Sequence, residues 1–91
     1  MTTPLRDNPA LSRFELDVEG HTALANYQPR EGAWAIVHTE VPYALRERGI
    51  GSELVRAVLE HARQQGMKVV PACGLVRHYM AQHPEFDDLR Q

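Results

Sequence analysis

The seven residues Arg46-Glu47-Arg48-Gly49-Ile50-Gly51-Ser52 have the make-up of an anion-binding turn. Gly49 and Gly51 stand two apart, Arg46 precedes the first by three positions, and a hydroxyl follows the second. Behind them Leu54, Val55, Val58, Leu59 and Ala62 recur at helical spacing, and Gly66 is a stop signal. A helix start leaves several backbone N–H groups without intrahelical partners, and the helix dipole adds positive potential at the same end. Glycine has no Cβ, so a ligand can approach the backbone closely. Phosphate or pyrophosphate is the group that such a site suits. Arg46 and Arg48 could screen phosphate charge, or stand as solvated loop charges.

The flanks decide how to read this loop, because an ordinary tight turn uses the same glycines. The Lys-Ser/Thr ending of a P-loop is missing, and so is the third glycine of a dinucleotide fingerprint. Upstream, residues 33–41 read as a strand with apolar residues on both faces, which suggests a central position. Pro42 closes it. Earlier, Phe14, Leu16 and Val18 alternate with Glu15, Asp17 and Glu19, the mark of a half-buried strand. Glu19-Gly20 is a turn, residues 21–28 a second strand, and Pro29-Arg30-Glu31-Gly32 another turn. These three strands predict an antiparallel meander.

Past Gly66, residues 67–70 form a fourth short strand. A strand–helix–strand crossover predicts that it runs parallel to the third. Pro71 lacks a ladder donor, so pairing should weaken there. Leu75, Val76, Tyr79, Met80 and His83 mark one face of a second helix, which His83-Pro84 ends, and Phe86 and Leu89 anchor the tail. Residues 1–12 carry two prolines and no clear period, so they are expected to be a flexible arm ahead of one domain over residues 13–91.

Ninety-one residues make one domain with a modest core. With 43% hydrophobic and 24% charged residues, the composition is that of an ordinary globular protein. A net charge of -2 argues against a nucleic-acid partner. No apolar run approaches membrane-spanning length, and the N-terminus lacks a signal-peptide core. The single Cys73 cannot form an internal disulfide, which favours a reducing cytoplasm. His61, on the polar side of its helix, and His78 and His83, five apart, match no zinc spacing, so no metal is expected.

Arg46-Glu47-Arg48-Gly49-Ile50-Gly51 fits Arg/Gln-x-x-Gly-x-Gly/Ala at every fixed position, and so resembles the pyrophosphate loop of the GNAT acetyltransferases. His38-Thr39-Glu40-Val41-Pro42, Val70-Pro71-Ala72-Cys73 and His83-Pro84-Glu85-Phe86 are similar to segments of the small single-domain branch of that superfamily. The resemblance runs over residues 14–89 and implies a minimal GNAT fold: α/β (α+β-like), an antiparallel β-meander, then α-β-α on a mixed sheet. Two helices that usually wall the amine site, and two final strands, are absent, so the acceptor's identity is the least specified feature.

The resemblance implies an acetyl-CoA-dependent N-acetyltransferase that works by direct attack in a ternary complex. Arg46, Arg48, Gly49, Ile50, Gly51 and Ser52 would hold CoA, and the backbone near Val41 would serve the thioester oxygen. His38 and Glu40 are candidate bases, at i and i+2 on one strand face. Imidazole titrates near neutrality, whereas a carboxylate base needs a raised pKa. Tyr79 occupies the helix on which many relatives carry a tyrosine that protonates the CoA thiolate, and it could equally be a core aromatic. Cys73 falls near the expected thioester, either as an inert thiol or, with a lowered pKa, as an acyl acceptor. The acetyl acceptor would be a small amine or a protein lysine, and a second subunit could close that side as a homodimer. Two rivals remain: a non-catalytic CoA-binding module, and a protein-interaction domain whose glycine loop is only a turn.

Overall fold

The computed structural model describes residues 5–91. β2 (Arg13–Val18), β3 (His21–Arg30) and β4 (Ala33–Glu40) form the expected meander. Glu19 (φ 50°) and Gly20 (φ 80°) close its first hairpin, with positive φ at both loop residues as a two-residue primed turn requires. β5 (Lys68–Pro71) pairs parallel with β4 after the helical crossover. The sheet order is β1-β2-β3-β4-β5.

β1 (Arg6–Asn8) is a short strand within the stretch expected to be a flexible arm, whose first four residues lie outside the described ones. It pairs antiparallel with β2, and Pro9–Leu11 turns into that strand as a 3-10 helix capped by the Asn8 side chain. Three residues are too few to show an alternation. Partners hold them instead: the Tyr27 hydroxyl donates to Asp7 at 2.7 Å, and Arg6 pairs with Glu15 and Asp17 at 3.1 and 2.9 Å. Burial, aided by the Asp7 carboxylate, pushes the Tyr27 hydroxyl up to about 12.

Cross-strand partners share a face, so Phe14, Leu16, Ala23, Ala25, Tyr27 and Ile36 line one side of the sheet. All six are buried in a single core with Leu54, Val55, Val58, Leu59 and Ala62 of α1 (Ile50–Gln65). Gly66 ends α1 at φ 69°, its N–H bonded back to Ala62 and Arg63. His61 departs from the expected polar side. It stacks on Trp34 at 5.6 Å and meets Phe14 edge-on at 5.5 Å, because it lies seven residues, two turns, past Leu54. α2 (Gly74–Gln82) and the 3-10 turn Pro84–Leu89 close the core with Val76, Met80, Phe86 and Leu89. The tail is tied to β5: the Gln91 N–H bonds the Val69 carbonyl at 3.0 Å.

The other face carries Arg6, Arg13, Glu15, Asp17, Thr22, His38 and Glu40. Glu15 is only 4% exposed there, clamped by Arg6, Arg13 and Asn8 rather than sunk in the core.

Candidate functional site

β4 changes character along its length. Its first half is buried, whereas Val37, His38 and Glu40 are exposed. The register explains the change. Tyr27 faces Ile36, but Asn26 faces His38, so Val37 is an extra residue on β4, a β-bulge. In an unbroken strand His38 and Glu40 would share the core face with Ile36. The bulge turns them onto the open face, and places Thr39 on the helix side.

β4 and β5 part company at the same level. Their ladder ends at Ile36–Pro71, where proline has no N–H to continue it. The chain then turns, and Cys73 N–H bonds the Ile36 carbonyl at 2.8 Å. Pairing weakens at Pro71 as its missing donor predicts, and the two strands splay apart beyond it. The turn brings the Cys73 sulfur to 3.5 Å from the Thr39 hydroxyl. Cys73 also stands at the start of α2, where the N–H groups of Leu75 and Val76 face its sulfur without closing a regular capping bond. Burial pushes the thiol up, and the hydroxyl and these N–H groups outweigh it, leaving Cys73 below the usual thiol range.

The glycine segment is less of an open loop than the sequence suggests. Residues Tyr43–Arg48 coil into a 3-10 helix that runs into α1 through Gly49. The two glycines have separate duties. Gly49 takes φ 71°, which L-residues rarely adopt, and no atom lies within 4 Å of where its Cβ would be. A Cβ on Gly51 would meet Leu75 at 3.5 Å and Val41 at 3.9 Å, ordinary contacts, so the α1 start packs close against both side chains. The Gly49 carbonyl accepts the Glu53 N–H at 3.2 Å. The N–H groups of Ile50, Gly51 and Ser52 precede that bond and have no acceptor within α1. Arg46 donates to the Val41 carbonyl at 3.1 Å and lies over the Tyr43 ring, while Arg48 pairs with Glu19.

Beside this segment a cleft of 580 Å³ wraps the end of β4. Thr22, Leu24, His38 and Glu40 form its open-face wall, and Thr39, Val41, Pro42, Arg46 and Leu75 the rest. His38 Nε2 stands 3.7 Å from Glu40 Oε2, with side chains 59% and 63% exposed. The structure thus gathers His38, Glu40 and Val41 around one cleft, with Gly51 packed against Leu75 and Val41, and Cys73 beside Thr39.

Tyr79 is not gathered there. It is 7% exposed, stacks on the His83 ring at 3.8 Å, and has Arg56, Glu60 and Glu85 as its charged neighbours. Those residues line a separate groove between α1 and the C-terminal turn. Sequence reasoning missed Thr39, Thr22 and Leu75. The bulge that turns Thr39 to the helix side leaves no mark in residue spacing. Among the described residues no group of three or more His, Cys, Asp or Glu side chains is placed to hold a metal, and no helix is long and apolar enough to cross a membrane.

Comparison with known proteins fits this geometry. Residues 13–89 match the family model of the GCN5-related N-acetyl-transferases. Protein NATD1 of Gallus gallus and of Homo sapiens is 36% identical over 47 residues, 52% of this chain. The match spans 43% of the chicken protein and 42% of the human one, less than half of either. A solution structure of a GCN5-like protein from Staphylococcus aureus superposes with a TM-score of 0.71 at 25% identity, covering 99% of this chain and 89% of that one.

Proposed function

The chain belongs to the GCN5-related N-acetyltransferase family, and from that premise we propose that it transfers acetyl from acetyl-CoA to a primary amine by direct attack. The observation that carries the reading is the end of β4, where a bulge and a splay leave a cleft between a helix start and a His–Glu pair. The residues fit acetyl-CoA. Gly49 faces open space, and the N–H groups at residues 50–52, which have no acceptor within α1, are the candidate donors for a pyrophosphate. Bound there, acetyl-CoA would supply an acetyl thioester.

The chain's own groups would do the rest. Arg46 and Arg48 flank the pyrophosphate end, and the backbone N–H near Val41 is the donor for the thioester oxygen. His38 takes the amine proton, since its ring reaches the cleft from the open face. Thr39 walls the helix side of the same opening, with the Cys73 sulfur 3.5 Å from its hydroxyl. Tyr79 serves packing in this account, since its neighbours lie in the other groove. The open sheet face leaves room for a small amine or a protein lysine, and a second subunit could cover it.

Cys73 supports a second reading, an acetyl-cysteine route, because its thiol is held below the ordinary range beside the cleft. Direct attack needs no such nucleophile once the reactants are held together. Calorimetry with CoA, followed by thiol release on adding amines, tests the proposal. Saturable binding and amine-dependent release support it. Binding without release for any amine would leave a CoA-binding module, and no binding would leave an interaction domain.

A further inference from the structure

We propose that the acceptor is a compact aliphatic amine that enters as its ammonium ion, carries no carboxylate nearby, and is selected by Glu40. The inference rests on the acetyl-transfer reading above and assigns its substrate class. Four features of the cleft point to it. Glu40 and His38 both line the cleft from the open face, 3.7 Å apart. Thr22 donates its hydroxyl proton to Asp17 at 2.7 Å, so it turns oxygen lone pairs outward. Arg46, the one Lys or Arg lining the cleft among the described residues, is drawn to the Val41 carbonyl and the Tyr43 ring. Leu24, Pro42 and Leu75 supply apolar wall for a short alkyl stem.

The polar surface is therefore rich in acceptors. An ammonium offers three donors and no acceptor, which complements it. A carboxylate two or three carbons from the nitrogen would meet Glu40 as a like charge. The roles of the pair then divide. Glu40 binds the ammonium, and His38 removes one proton from it. The freed lone pair forms the C–N bond while the C–S bond breaks with its electrons on sulfur. A second amine proton is lost as the amide forms, and one proton neutralises the thiolate. Net, the ammonium and the thioester give amide, thiol and one proton.

The test compares propylamine with β-alanine, matched in length and differing in the carboxylate. Wild-type kcat/KM should favour propylamine at least roughly tenfold. Glu40→Gln should raise the propylamine KM about tenfold with kcat within about threefold, and Glu40→Lys should reverse the preference. A fall in kcat at constant KM in Glu40→Gln would make Glu40 the base and overturn the division. Equal use of both amines by the wild type would overturn the inference. Binding is read separately by NMR: propylammonium added to the CoA-free protein should shift the amides of His38, Thr39 and Glu40, and β-alanine should not. Those shifts without turnover would sustain the recognition while the transfer reading failed, and their absence would end the inference. Nα-acetyl-lysine amide, whose ε-amine is free, should be used in preference to a lysine of a folded protein, and preferred use of the protein lysine would overturn the inference.

Discussion

At the scale of single residues, the cleft sets a thiol and an imidazole on opposite sides of one strand end. Cys73 is pushed up by burial, and the Thr39 hydroxyl and the α2 N–H groups bring it down further than burial raises it. Thr39 stabilises the thiolate by donating to it, so Thr39→Val should shift the pH midpoint of iodoacetamide labelling upward. An unmoved midpoint would remove the hydroxyl from that role. His38 is assigned the amine proton, and His38→Gln should flatten the acidic limb of the pH–rate profile. A limb that survives would transfer the role elsewhere. The i, i+2 spacing of His38 and Glu40 made their shared face legible in the sequence. It did not say which face, because the bulge at Val37 reverses the parity. Tyr79 looked available for proton transfer by its place on a helix, yet its charged neighbours Arg56, Glu60 and Glu85 line the groove between α1 and the C-terminal turn, away from the cleft.

At the scale of elements, strand alternation and the helical stripe were enough to place β2 to β5 and α1. β2, β3 and α1 each bury a regular face, and β4 opens on an apolar run, which are patterns a sequence displays. β1 left no such trace, since Arg6–Asn8 is held by Tyr27, Glu15 and Asp17 from distant positions. The splay was foreshadowed by Pro71, whereas the Thr39–Cys73 approach across it was not. The α1 start carries the CoA assignment, and its two glycines predict different failures. Gly49→Ala forces an L-residue to φ 71° in open space, so it should cost about 1–2 kcal/mol of stability, read as a lower denaturant midpoint at constant slope. Gly51→Val adds branches between Leu75 and Val41 and should remove most CoA affinity. Gly51→Ala, which fits at ordinary contact, controls for folding. Unchanged CoA binding by a folded Gly51→Val protein would sink the assignment of this segment.

At the scale of the whole molecule, the sheet is covered by helices on one face and by paired charges on the other. Three carboxylates are held below their ordinary range: Glu15 chiefly by Arg13, Asp17 by Thr22 and Arg6, and Asp88 by Arg63. Their folded values are depressed, so the stability they contribute is present above the unfolded carboxylate range near pH 4 and is lost as pH falls through the folded values. Denaturant midpoints should therefore drop on acidification below about pH 4, and Arg13→Gln should flatten part of that drop. A midpoint independent of pH there would show that the charge layer contributes nothing. The charged face also leaves the acceptor side of the cleft open, which is where the account makes its largest commitment: both substrates meet across the end of β4, with no covalent stage on the chain. Intact mass measured after mixing the protein with acetyl-CoA, before and after adding propylamine, tests this most directly. The account predicts no acetyl adduct on Cys73 before the amine and one acetyl-amine per CoA thiol after it, with Cys73→Ala keeping at least about a tenth of kcat, a barrier change of no more than about 1.4 kcal/mol. A stoichiometric Cys73 adduct that discharges to the amine would contradict it.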